Sequence, residues 1–105
     1  MKNLKFLILL FIMTDNSYSQ TWTIYNTSNS GLSSNDIADF NIDKLDNKWI
    51  ATYNYGLVKF DDSTWTIFNT SNSVLLSNNI YCCAIDTNDV KWFGTKIGLI
   101  KYNDS

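Results

Sequence analysis

Beyond its first twenty residues the chain alternates between short runs rich in β-branched and aromatic residues and clusters of Asn, Ser and Asp. The runs are Thr21–Tyr25 (TWTIY), Ile37–Asp43 (IADFNID), Lys48–Thr52 (KWIAT) and Gly56–Phe60 (GLVKF). They are followed by Thr64–Phe68 (TWTIF), Ile80–Asp86 (IYCCAID), Lys91–Thr95 (KWFGT) and Gly98–Tyr102 (GLIKY). None holds apolar residues at helical spacing for the ~10–12 positions that a helix requires. Each reads as a strand, and the polar clusters between them supply turn chemistry. Several runs are apolar on both faces, as strands are when they are covered on two sides.

The pattern repeats. A shift of 43 residues carries Leu32, Ser34, Asn35 and Ile37 onto Leu75, Ser77, Asn78 and Ile80. It also carries Asp43, Asp46, Lys48, Trp49 and Thr52 onto Asp86, Asp89, Lys91, Trp92 and Thr95. One residue is then lost, so Gly56–Ser63 answers Gly98–Ser105 at a spacing of 42. A unit of this length suits a pair of helices or a four-stranded propeller blade. Four strands with short connections total roughly 36–48 residues, which accommodates the unit. The expected fold is therefore all-β: two tandem four-stranded antiparallel blades, residues 22–64 and 65–105, within an incomplete β-propeller.

Residues 1–19 follow a different logic. Two lysines in MKNLK precede the unbroken apolar run Phe6–Met13, and a polar stretch with Ser17 and Ser19 follows. These are the parts of a secretory signal peptide, with cleavage expected between Ser19 and Gln20. The run is shorter than the roughly 17–25 residues of a membrane-spanning helix, so no stable span is expected after cleavage.

Composition sharpens the picture mainly by exclusion. All ten acids are Asp and all eight bases are Lys, for a net charge of −2, and there is no Glu, Arg, His or Pro. Good helix formers are scarce. No basic stripe exists to neutralise phosphates, so nucleic acid is not an expected partner.

The segments Leu32–Asp61 and Leu75–Asn103 resemble the two-component regulator propeller repeat, most specifically at Trp49 and Trp92 and at Gly56-Leu57 and Gly98-Leu99. The resemblance implies an exported sensor-type propeller region, periplasmic or extracellular, of the sort attached to histidine kinases in Bacteroidota-like bacteria. It also implies a glycan or protein ligand. This sequence departs from the repeat where the hairpin glycine becomes Asp46 and Asp89, residues that tolerate a left-handed backbone better than most. Ala51 stands where the second copy keeps Gly94. Kinase function does not carry over. A closed propeller typically needs four to eight blades. Two blades leave three expectations: a truncated or degenerate fragment of a longer propeller with a structural role, self-assembly of copies into a closed ring, or an open monomer.

Candidate chemistry is sparse. Cys82 and Cys83 are adjacent on one strand and point to opposite faces, which prevents an easy mutual disulfide; Cys83 reads as a small buried hydrophobe. The four tryptophans, Trp22, Trp49, Trp65 and Trp92, recur by repeat position and read as packing between blades rather than sugar stacking. Tyr53 and Tyr55 lie in the loop where the copies differ in length and read as an exposed turn, with ligand contact as the functional alternative. Asp43, Asp46, Asp86 and Asp89 lack calcium-loop spacing and read as hairpin residues. Asn26-Thr27-Ser28 and Asn69-Thr70-Ser71 fit the glycosylation acceptor. No acid–base pair, nucleophile or metal set is apparent, so no residue is assigned to catalysis, cofactor or metal, and the ligand contacts are left open. The expectation is a non-catalytic binding module.

Overall fold

The turn clusters break the chain where expected, and the runs between them pair as antiparallel neighbours. A computed structural model describes residues 19–104. The signal-peptide assignment for residues 1–19 falls almost wholly outside them. The described strands are β1 (Ile37–Ile42), β2 (Lys48–Thr52), β3 (Leu57–Phe60), β4 (Trp65–Phe68), β5 (Ile80–Ile85), β6 (Lys91–Thr95) and β7 (Gly98–Tyr102). They form a four-stranded sheet, β1-β2-β3-β4, and a three-stranded sheet, β5-β6-β7. No described residue is helical, and none belongs to a helix long and apolar enough to cross a membrane.

One expected strand is absent. Thr21–Tyr25 lies outside both sheets, so the architecture is four strands plus three rather than two sets of four. The reason is partnership, not propensity. Its repeat equivalent β4 pairs with the β3 that precedes it, whereas no strand precedes Thr21–Tyr25 among the described residues. A strand without a ladder partner leaves its backbone groups to water.

The repeat extends to fine structure. Ile37 pairs with Thr52 and Ile80 with Thr95, and both β1 and β5 shift register just after that residue, at Ile37/Asp39 and Ile80/Cys82. Asp46 and Asp89 adopt φ of 69° and 64°, so aspartate does serve at the left-handed hairpin position. Gly56 needs its glycine for two reasons: φ is +86°, and a Cβ there would run into the Phe68 carbonyl oxygen.

Alternation gives each sheet a front and a back. On the first sheet Trp49, Ala51 and Leu57 share the back, because Ala51 and Leu57 are directly opposed across β2 and β3. On the second sheet Cys83, Phe93 and Ile100 share the front. These two faces meet, with Leu75 and Ile80, to make the core. Burying such side chains stabilises by roughly 1.5–3 kcal/mol each. The back of the second sheet and the β1 side of the first sheet's front stay uncovered, which leaves Leu99 69% and Phe40 59% exposed, whereas Val58 and Phe60 on that same front are buried, with Tyr25 packed on Phe60.

Candidate functional site

The joint between the sheets is organised around Trp49, which is fully buried. Its ring meets Tyr102, Phe93 and Phe68 at centroid distances of 5.4, 5.7 and 6.1 Å. Its indole Nε1 donates to Asp43 Oδ2 at 2.9 Å. Asp43 also accepts from the backbone N–H of Leu45 and Asn47 and from Asn47 Nδ2. Lys91, only 1% exposed, reaches across from the second sheet to within 3.5 Å of the same carboxylate. Lys91 Nζ also bonds Asp89 and Asp104 and lies 5.6 Å from the Trp49 ring centre.

The charges are mutually supported. Burial pushes the Asp43 carboxyl up, but bonds from Trp49 and Asn47 and the Lys91 ammonium outweigh it and hold the pKa at about 2. Burial pushes Lys91 down, and its bonds to Asp104 and Asp89 more than compensate, so its pKa is raised. Asp43 and Asp89 are hairpin residues, as the sequence implies, and the structure adds a role at the joint through Lys91, which Asp104 also holds.

Cys83 faces the joint and its thiol donates to the Trp49 carbonyl at 3.4 Å. Burial first, then the Asp39 carboxylate, pushes its pKa up to about 12, which makes it a poor nucleophile. Cys82 points to the opposite, exposed face. The tryptophans divide. Trp49 fills the joint, Trp65 stacks on Phe60 at 3.9 Å, Trp92 is half-buried, and Trp22 is 85% exposed. The reading of all four as packing between blades therefore holds for Trp49 alone among the described residues: Trp65 packs on the front of its own sheet, Trp92 lies on an uncovered back, and the Trp22 segment pairs with no described strand. Asn26 and Asn69 use their side-chain oxygens to accept turn N–H groups, Ser28 and Asn29 in one copy and Ser71 and Asn72 in the other.

At one rim of the joint the structure assembles three exposed tyrosines. Tyr53 and Tyr55 lie in the turn after β2, and Tyr53 packs against Tyr81 of β5 with centroids 6.1 Å apart. Tyr81 was missed from sequence, although one signal was available: it replaces Ala38 of the first copy, so the repeat does not demand it. A separate apolar groove of about 210 Å³ runs along the outer seam, lined by Leu57, Phe68, Val74, Ile100 and Tyr102. It holds few polar groups that could orient a ligand.

Comparison with solved structures places this geometry. The chain is similar to the extracellular domain of BT3049 from B. thetaiotaomicron, assigned as a hybrid two component system, with a TM-score of 0.74 and 24% identity over 85% of this chain. The resemblance to the two-component regulator propeller repeats holds. At that identity the likeness establishes fold: an all-β, propeller-type domain. A second similar structure is PorZ, a bacterial surface component of the type-IX secretion system of Porphyromonas gingivalis, with a TM-score of 0.59 and 38% identity over 63% of this chain. This chain spans 12% of the first protein and 9% of the second. No protein-family profile matches the sequence. No curated protein matches it either.

Proposed function

We propose that the chain is a non-catalytic, exported propeller segment of the sensor type, with the tyrosine rim as its ligand-contact surface. The observation that carries this reading is the fold likeness, over 85% of the chain, to an extracellular domain of a two-component system. Its sheets act as a rigid scaffold, and the contact surface lies where the two copies differ. Exposed Tyr53, Tyr55 and Tyr81 offer flat apolar faces with hydroxyl tips, which suit stacking on a sugar ring or an extended peptide. A glycan is the preferred ligand class, with a protein partner as the alternative.

Two measurements test this. A fusion of the full chain to alkaline phosphatase is expected to be active outside the cytoplasm and to lose export when residues 1–19 are removed; cytoplasmic retention of the full fusion overturns the localisation. On a glycan array, binding is expected to fall at least about tenfold for Tyr53→Ala and Tyr81→Ala. No binding by the unmodified chain weighs against the carbohydrate ligand.

A second reading, a structural segment of a longer propeller, is supported by the 12% and 9% of the similar chains that this one spans. Further in-frame repeats in the adjoining DNA would favour it.

A further inference from the structure

The joint is one half of a relation that the repeat writes twice. In the joint Trp49, Ala51 and Leu57 of the first sheet's back enter a hollow formed by Phe68, Leu75, Ile80, Cys83, Phe93 and Tyr102. Carried back by one repeat, that hollow becomes Tyr25, Leu32, Ile37, Phe40, Ile50 and Phe60. Those residues line an open hollow of about 290 Å³ on the front of the first sheet. Carried forward, the inserted residues become Trp92, Gly94 and Leu99 on the uncovered back of the second sheet. One end of the molecule thus carries a socket, and the other carries the surface that fits it. The one large change in the socket, Cys83 to Phe40, adds bulk; on the inserting face Ala51 becomes Gly94, with the Cys82 sulfur lying over it.

Most polar groups obey the same shift; the exception is the bond from the Cys83 N–H to Asp39 across the joint, because Cys82 stands at the position equivalent to Asp39. Lys91 bridges to Asp43 across the joint, while Asp89 and Asp104 hold it from its own sheet. Lys48 stands at the open hollow, held likewise by Asp46 and Asp62. Asp86, the equivalent of Asp43, already accepts Trp92 Nε1 at 2.9 Å and is exposed. Across the joint the Gly56 N–H donates to the Asn78 carbonyl at 2.9 Å, and the equivalent groups are Gly98 N–H and the Asn35 carbonyl. Finally, among the described residues β7 has an open edge and Thr21–Tyr25 pairs with no strand. The β3–β4 register, Leu57 opposite Phe68 and Phe60 opposite Trp65, translates to Leu99 opposite Tyr25 and Tyr102 opposite Trp22.

We propose that the chain associates head to tail with a second copy of itself. The back of one copy's second sheet, led by Trp92 and Leu99, seats in the other copy's front hollow. Lys48 of the second copy pairs with Asp86 of the first, and the second copy's Thr21–Tyr25 becomes the missing fourth strand beside β7. The interface is heterologous: each copy uses a different face, so an added copy presents a fresh face for the next. This inference is independent of the ligand assigned to the tyrosine rim.

Sedimentation velocity on the full chain across a wide concentration range tests it. The unmodified protein is expected to associate. Leu99→Asp blocks the back and Phe40→Asp blocks the front, both at exposed positions that the fold tolerates; circular dichroism melts check that each variant stays folded. Each variant alone is expected to sediment as a single copy. An equimolar mixture is expected to give a one-to-one pair and nothing larger, because each supplies the face the other lacks. Asp86→Asn is expected to weaken association about tenfold. A single-copy mass for the unmodified protein, association that survives both substitutions, or no pair on mixing would overturn the proposal.

Discussion

Trp49 and Trp92 occupy one position of one repeat, and each donates its indole N–H to an aspartate six residues earlier at 2.9 Å. Yet Trp49 is fully buried and Trp92 only half so. Lys91 is 1% exposed, while its equivalent Lys48 keeps 24% of its side chain in water. The two sheets thus share the ladders of their first three strands and their hairpin bonds, and differ most wherever a neighbour is needed. Local sequence builds the sheet, and stacking decides how strongly each residue counts.

That contrast is open to attack at several points. The largest effect is expected at the tryptophans. Trp49→Ala should cost about 3–5 kcal/mol in urea unfolding and Trp92→Ala about 1, and equal costs would mean that the joint contributes nothing special. The glycines come next. Gly56→Ala meets both a left-handed backbone and the Phe68 carbonyl, for an expected cost of about 2–4 kcal/mol. Gly98→Ala at φ +135° enters open space and should cost about 1 kcal/mol.

Acid titration should reveal the joint more gently. Asp43 ionises at about 2 in the folded chain against 3.8 ordinarily. Its contribution, about 2 kcal/mol, is present above pH ~4 and is lost as the pH falls through 2. Unfolding midpoints between pH 5 and pH 2 should drop accordingly. Asp43→Asn should flatten that fall, whereas Asp86→Asn should leave most of it. The smallest effect concerns the thiols. Under native conditions a maleimide should modify Cys82 readily and Cys83 only on unfolding, by mass spectrometry of the digested chain.

Much of this fold was legible because each unit states its own strands and turns. Seven of the eight expected strands form, with ends within a residue or so of expectation. The left-handed Asp46 and Asp89 were readable from the repeat as well, since the hairpin demands that backbone whatever residue stands there. The failures share one cause. Trp22 and its strand needed a partner that the local pattern cannot name, and Tyr81 matters only because stacking brings it beside Tyr53. Cys83 was correctly read as buried because its strand is apolar. The Lys91–Asp43 bridge was not foreseen, because it joins residues one repeat apart that only docking makes neighbours.

The polar corner ahead of each first strand holds a separate lesson. Asn69 and Asn72 exchange side-chain-to-backbone bonds, Asn72 reaches the Ile67 carbonyl at 2.8 Å, and Ser73 Oγ closes on the Asn69 carbonyl at 2.6 Å. Asn26, Asn29 and Ser30 reproduce the same circuit although the segment before them forms no strand. A bend whose bonds all lie within seven residues, Ile67–Ser73 or Ile24–Ser30, can be duplicated anywhere in a gene without redesign. Such autonomy lets a lineage lengthen or shorten its arrays by whole units, with every new unit arriving already folded at the hinge.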